Sequence, residues 1–311
     1  MRRAEWTAVP AAALVLAACA AAAQVPFRHP EAPRIVAIGD LHGDLDATRR
    51  VLRLAGAIDD EDRWVGGGLV VVQTGDQLDR GDQEREILHL LERLRGEARS
   101  AGGALHVLSG NHEVMNVELD LRYVTPGGYA DFADVDADSA DSTIAAHPQE
   151  QRGRVAAFRP GGPYARLLST QDVVVMVGDN VFVHGGVRPA HLDYGLERIN
   201  DEFRAWAAGE GPVPEWVETK DNPTWTRWYS DEPDADDCRA LGAVLDRLGA
   251  ERMIVGHTVQ DGGITSWCGG RVWCVDVGMS AHYGGEPAAL EITGDTVRVL
   301  QVPALTGAAT D

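Results

Sequence analysis

The sequence predicts a layered α/β fold, and three observations carry that prediction. Several apolar runs are continuous rather than alternating, which marks strands buried on both faces. Amphipathic helical stretches alternate with them. The chain has 311 residues, 44% apolar and 24% charged, enough to bury a sizeable core. Arg34–Gly39 (RIVAIG) reads as the first strand and Leu45–Gly56 as the helix after it. Leu69–Gly75 (LVVVQTG) is a second strand, and Gln83–Ala101 is a helix with Ile87, Leu88, Leu91 and Leu94 on one face. Leu105–Ser109 is a third strand. Val173–Val177, Val181–His184, Met253–Gly256 and Val272–Asp276 are later strands, and a hairpin of Ala289–Ile292 and Thr296–Gln301 turns around Gly294-Asp295.

One stretch breaks the pattern. Met115–Gln151 is rich in Asp and Ala and lacks apolar periodicity, so it reads as an insertion or partly helical cap. Asp134, Asp136 and Asp138 have the spacing that opens a calcium loop. Ser139 stands where such a loop needs glycine and Ala145 where it needs a bidentate glutamate, so the stretch reads as a solvated acidic loop.

Charge narrows the function. Asp and Glu number 48 against 28 Lys and Arg, a formal charge of -20, and Lys220 is the single lysine. Such a surface repels phosphate backbones and argues against a nucleic-acid partner. At the amino end, Arg2 and Arg3 precede an Ala-rich apolar run from Val9 to Ala18, too short to span a bilayer. That is the shape of an export signal over residues 1–23, and Leu16-Ala17-Ala18-Cys19 resembles a bacterial lipobox. The expectation is a periplasmic or membrane-anchored lipoprotein with Cys19 carrying the lipid; cleavage after Ala21-Ala22-Ala23, and an Ala-rich disordered leader with an incidental cysteine, are the alternatives. A linker over 24–33, a catalytic domain over 34–303 and a disordered tail over 304–311 complete the expected organisation. Of the remaining cysteines, Cys238, Cys268 and Cys274, two at most can pair, and spacing does not choose which. None has zinc-ribbon spacing.

The chemistry lies in the residues just beyond each strand. RIVAIG runs into Asp40-Leu41-His42-Gly43, LVVVQTG into Asp76-Gln77-Leu78-Asp79-Arg80-Gly81, and LHVLSG into Asn111-His112-Glu113. VFV runs into His184-Gly185-Gly186 and MIVG into His257-Thr258. Open α/β sheets place their ligand crevice at the carboxyl ends of the strands, so these five clusters can converge. Asp40, His42, Asp76, Asn111, His184 and His257 are hard or borderline metal ligands, too many for one tetrahedral ion and suited to a pair. A carboxylate can bridge two cations, and two cations about 3.5–4 Å apart can hold a nucleophilic hydroxide.

GDLHG, GDQLDRG, GNHE, HGG and GHT, in that order, resemble the phosphoprotein phosphatase family of binuclear metallophosphoesterases. VMN after GNHE, Arg159-Pro-Gly-Gly-Pro-Tyr164, and Asp276-Val-Gly-Met-Ser280 with Tyr283 are similar to its Shewanella-like branch. The resemblance implies a calcineurin-like fold, a central β-sandwich flanked by helices, and hydrolysis of phosphoprotein monoesters with a leaning to phosphotyrosine. It implies two divalent ions, manganese first and iron or zinc next, with direct attack by a bridging hydroxide and no phosphoenzyme. Asp40 and His42 would hold one ion, Asp76 would bridge, and Asn111, His184 and His257 would hold the other. His112 would protonate the leaving oxygen with Asp79 orienting it, while Arg80 and Asn111 meet the phosphate. Arg227, in Trp225-Thr226-Arg227, matches either a second phosphate-binding arginine or a cation–π contact with Trp225 or Trp228. Tyr283 matches an active-site-loop tyrosine or a packing residue. The rival readings are a diadenosine-tetraphosphatase-like or general phosphoesterase, and an inactive phosphopeptide-binding module. His29, His89, His106, His147, His191 and His282 read as ordinary polar residues, and Trp64, Trp206 and Trp216 as packing residues.

Overall fold

A computed structural model describes residues 26–301. The export signal with Cys19 and the tail over 304–311 lie outside the described residues. Among the described residues eleven strands form two sheets: β1 (Arg28–His29), β2 (Ile35–Ile38), β3 (Val70–Gln73), β4 (Ala104–Val107), β5 (Val174–Val177), β6 (Asn180–Val183), β7 (Arg252–Val255), β8 (Thr265–Trp267), β9 (Val272–Cys274), β10 (Ala288–Thr293) and β11 (Thr296–Gln301). One sheet runs β11-β10-β2-β3-β4 and the other β1-β5-β6-β7-β9-β8. In the first, β2, β3 and β4 are parallel, with Ile35 opposite Val70 and Val70 opposite Ala104. In the second, β6, β7 and β9 are parallel, with Val183 opposite Val255 and Val255 opposite Cys274.

The two sheets pack face to face, and alternation along each strand shows how. Ile35 and Ala37 of β2 meet Val175 and Val177 of β5, Phe182 of β6 and Ile254 of β7 in the core between the sheets. Val36 and Ile38 point the other way, into a second core with α1 (Leu45–Leu54) and α2 (Glu84–Ser100). The outer face of the second sheet is covered by α9 (Leu196–Ala207) and α10 (Ala235–Leu248), with Phe203, Trp206 and Leu245 buried there. The short α8 (Pro189–Tyr194) packs against both. With both faces covered, the strands needed the unbroken apolar runs seen in the sequence.

Several expected boundaries shift for one reason. The ladders end one or two residues before the predicted strand ends: β6 stops at Val183 rather than His184, β7 at Val255 rather than Gly256, and β9 at Cys274 rather than Asp276. The polar residues at those tips leave the ladder to turn inward. The presumed linker joins the structure, since Phe27 is buried and Arg28–His29 pairs with β5. The acidic stretch begins later than Met115, because α3 (Asn111–Glu118) buries Met115 and Val117. Beyond it lie α4 (Pro126–Ala130), α5 (Ser142–Ala145), α6 (Arg152–Phe158) and α7 (Pro163–Leu168), with Leu121, Ile144 and Val155 forming a small core of their own. Asp134 pairs with Arg85 at 2.5 Å, in keeping with a solvated loop. Cys238 on α10 is bonded to Cys268 in the β8–β9 hairpin, and Cys274 is free and buried.

Candidate active site

All five polar clusters converge where the carboxyl ends of β2, β3, β4, β6 and β7 meet. Turning from a strand into this crevice requires unusual backbone. Nine non-glycine residues of the described chain have left-handed φ, and His42, Asp76, Asp79, Arg80 and His257 are five of them, with φ between 45° and 69°. Such strain persists only where the surroundings over-determine it, and it gathers at functional sites. Two glycines permit the close approach. A Cβ at Gly110 would collide with the Asp76 carboxylate, and one at Gly256 would come within 2.5 Å of Asp40 Oδ1.

Asp76 is the centre. Its Oδ2 lies 3.3 Å from His184 Nε2, 3.7 Å from His42 Nε2 and 3.7 Å from His112 Nε2. His184 Nε2 also lies 2.9 Å from Asn111 Oδ1 and 3.2 Å from His257 Nδ1. His42 Nε2 is 3.8 Å from Asp40 Oδ2, whose carboxylate accepts the His257 backbone N–H. The six predicted donors are therefore together, all of them buried. Two groups have the spacing to hold a metal ion, His42-Asp76-His112 and Asp76-His184-His257, and they share Asp76.

The far side of each imidazole tests whether cations fit. His42 Nδ1 meets the Leu78 carbonyl at 3.0 Å, His184 Nδ1 that of Thr74 at 2.9 Å, and His257 Nε2 that of Trp225 at 3.1 Å. Each ring thus donates an N–H outward and turns a lone pair toward Asp76, the arrangement typical of ligating histidines. Electrostatics agree. Burial raises the Asp40 pKa well above the usual carboxylate range, and Asp276 and Asp76 reinforce the rise. Burial pushes His42 down to about 4 and holds His257 well below its ordinary value, so both rings are neutral at physiological pH. Neutral imidazoles and crowded carboxylates are a donor set that divalent cations complete.

His112 differs. Its Nδ1 meets Asp79 Oδ2 at 2.6 Å, a carboxylate rather than a carbonyl. Burial opposes its charge, but Asp76 and Asp79 outweigh that and push its pKa up to about 9. A protonated ring has no lone pair for a metal and has a proton to give. Arg80 lies 3.9 Å over the Tyr123 ring, and its buried Nε has no partner. Arg227 makes neither expected tryptophan contact among the described residues. Its Nη1 instead donates to the His257 carbonyl at 2.8 Å and to Thr258 Oγ1 at 2.9 Å. It is Arg188 that stacks on Trp228. The Tyr283 ring packs 5.4 Å from His42, and His282 beside it lines the groove of about 790 Å³ that leads from Arg80.

Motif reasoning assigns no role to several residues that build this site. Glu113 accepts four backbone N–H groups, from Asp76, Gln77, Leu78 and Gly110 at 2.7–3.1 Å, and so ties two of the loops together. Asp276 adds a third buried carboxylate beside Asp40. Asn116, Glu84 and Arg154 surround Asp79. Glu113 and Asn116 stood within or next to a motif, a usable signal; Arg154 had none.

A β-sandwich whose two sheets aim carboxylates and imidazoles at one crevice is the architecture of a metallophosphoesterase. The calcineurin-like phosphoesterase family matches residues 33–261. The chain is 42% identical to Shewanella-like protein phosphatase 2 of Arabidopsis thaliana, over 89% of this chain and 79% of that protein. It is 27% identical to Shewanella-like protein phosphatase 1 of Plasmodium berghei (strain Anka), over 86% and 74%. Among solved structures, a cold-active protein tyrosine phosphatase superposes with a TM-score of 0.71 at 25% identity, covering 89% of this chain and 81% of that one. The chain belongs to the calcineurin-like phosphoesterases and, within them, to the Shewanella-like protein phosphatases. It is a hydrolase of phosphoric monoesters in a metal-dependent family, with His and Asp clusters that could hold metal.

Proposed function

We propose that this phosphatase works with two divalent cations and prefers phosphotyrosine. The observation that carries the reading is that Asp76 Oδ2 lies 3.7 Å from His42 Nε2, which neighbours Asp40, and 3.3 Å from His184 Nε2, which neighbours Asn111 and His257. Asp40 and His42 would hold one ion, Asn111, His184 and His257 the other, and Asp76 both. Manganese, iron and zinc all suit this donor set. When bound, the pair would supply an activated oxygen nucleophile and offset charge on the phosphate.

The chain's own residues do the rest. Arg80, lying on Tyr123 with a free Nε, presents a planar fork to the phosphate oxygens. Arg227, fixed on the His257–Thr258 backbone, faces it from the other side. His112 holds a proton on Nε2 for the departing oxygen, and Asp79 on Nδ1 keeps that ring charged and aimed. Tyr123, beside His112, and Tyr283, beside His42, give the crevice aromatic walls suited to a phenyl ring. The solved neighbour named a protein tyrosine phosphatase supports the same preference.

The test is a panel of initial rates. Tyrosine phosphopeptides are expected to exceed serine and threonine phosphopeptides at least tenfold in kcat/KM, and diadenosine tetraphosphate is expected to react poorly. Chelation should abolish turnover, and titration with manganese should restore it at two equivalents. Activity indifferent to chelators, or restored by one equivalent, would sink the binuclear reading; equal rates on the three phosphoamino acids would sink the preference.

The proposal extends to location. The Cys238–Cys268 disulfide supports an oxidising compartment, in line with the export signal. We take the mature chain to be a periplasmic lipoprotein anchored through Cys19. Intact-mass measurement of its amino terminus would show diacylglyceryl-Cys19 or refute the anchor.

A further inference from the structure

We propose that Arg154 is the positioning residue of the proton donor, clamping Asp79 so that its other oxygen faces His112. The inference rests on the assignment of His112 as the acid. Arg154 is fully buried on α6, outside every motif, and its guanidinium meets four acceptors. Nη2 donates to Asp79 Oδ1 at 3.1 Å, and Nε to Asn116 Oδ1 at 2.9 Å. Nη1 donates to Glu84 Oε2 and, at 3.0 Å, to the Gly128 carbonyl of α4. The rings of Phe158 and Phe132 lie 4.9 and 5.2 Å from its Cζ.

These contacts divide the Asp79 carboxylate. Oδ1 receives Arg154 Nη2 and Asn116 Nδ2, each at 3.1 Å, while Oδ2 is left for His112 Nδ1 at 2.6 Å. The Asp79 backbone is fixed as well, its N–H donating to Glu84 Oε1 at 2.7 Å. Asn116 Nδ2 reaches the His112 carbonyl at 2.9 Å, so the same cluster grips both partners. Asp79 is wholly shielded from solvent and holds a left-handed φ of 65°, so without a clamp neither its ionised form nor its orientation is secured. Two buried carboxylates, Asp79 and Glu84, sit beside one guanidinium and the His112 ring, a group balanced only when Arg154 is present. A lysine could not reproduce the four-acceptor geometry.

Leaving-group dependence separates positioning from mere structural support. Removing Arg154 alone strands Glu84, so the variant is Arg154→Met combined with Glu84→Gln, alongside Glu84→Gln alone and Arg154→Lys. Each is purified with manganese, checked for two ions by elemental analysis, and assayed on dinitrophenyl phosphate, phenyl phosphate and a phosphoserine peptide. Relative to Glu84→Gln, the double variant should keep its metal and hold KM within about twofold. Its kcat on phenyl phosphate and phosphoserine should fall about 100-fold, against less than threefold on dinitrophenyl phosphate, whose leaving group needs no proton. Arg154→Lys should recover part of that loss. Adding Asp79→Asn should cost nothing more, because both changes break one device. An equal loss on all three substrates, or an additive Asp79→Asn, would overturn the proposal while leaving the phosphatase reading intact. If His112→Asn itself showed no leaving-group dependence, the assignment beneath it would fail, and the clamp with it.

Discussion

Two residues at the centre of the crevice would do different jobs in the proposed mechanism, and substitution should separate them. Asp76 faces three imidazoles at 3.3–3.7 Å and stands in both metal-spaced groups. Asp76→Asn keeps the size but removes the charge that two cations would share. The expected outcome is loss of bound metal at both positions and a fall in kcat of at least about 1,000-fold, read by elemental analysis and initial rates. His112→Asn should leave metal content unchanged and lower kcat by about 100- to 10,000-fold, most on poor leaving groups. Full activity of that variant on phosphoserine peptides would remove His112 from its role. The proximity of the six proposed donors to Asp79, Arg80 and His112 was legible because each follows a strand inside a short local motif. Arg154 was not, because its partners Asp79 and Glu84 lie 75 and 70 positions away and nothing local marks it.

At the scale of elements, the strand-to-helix turns carry the site, and the first shows how. Asp44 caps α1 by accepting the Ala47 N–H at 2.9 Å, and its other oxygen accepts the Ala281 N–H at 2.7 Å. One carboxylate therefore starts the helix and pins the loop that presents His282 and Tyr283. Asp44→Ala should cost about 1 kcal/mol of stability for the lost cap. It should also raise KM severalfold with kcat little changed, since the tethered loop borders the groove and supplies none of the proposed metal donors. Thermal melts and steady-state kinetics check the two effects separately; an unaltered KM would show the loop holds without its tether. The sequence pattern yielded most strands, because burial on both faces leaves an unbroken apolar run. It missed β1 and β8, two and three residues long, where an edge position demands little of composition. The disulfide was equally illegible: Cys238 and Cys268 are 30 residues apart and meet only because α10 packs against the β8–β9 hairpin.

Across the whole molecule, the seam between the sheets makes one contribution to behaviour with pH. His29 on β1 and His106 on β4 belong to different sheets, and their rings lie 4.3 Å apart. Burial lowers His106 to about 3, with His29 and Arg95 adding to the effect, while its value in an unfolded chain is about 6.5. Between those values the unfolded chain binds the extra proton, so this contribution is complete above about pH 6.5 and drains away as pH falls toward 3. Melting temperatures taken from about pH 7.5 to about pH 5 should drop more steeply for the parent than for His106→Gln; parallel slopes would refute the contribution. The same seam has a bearing on biogenesis. Asp40, Asp76 and Asn111 hang from strands of one sheet, His184 and His257 from the other, so neither half alone offers a complete ligand set. On the proposed ligand set, loading would then be a late event of the assembled sandwich, and since donors of this kind discriminate weakly among first-row ions, the occupant would be decided by which ions surround the chain at the moment its halves close.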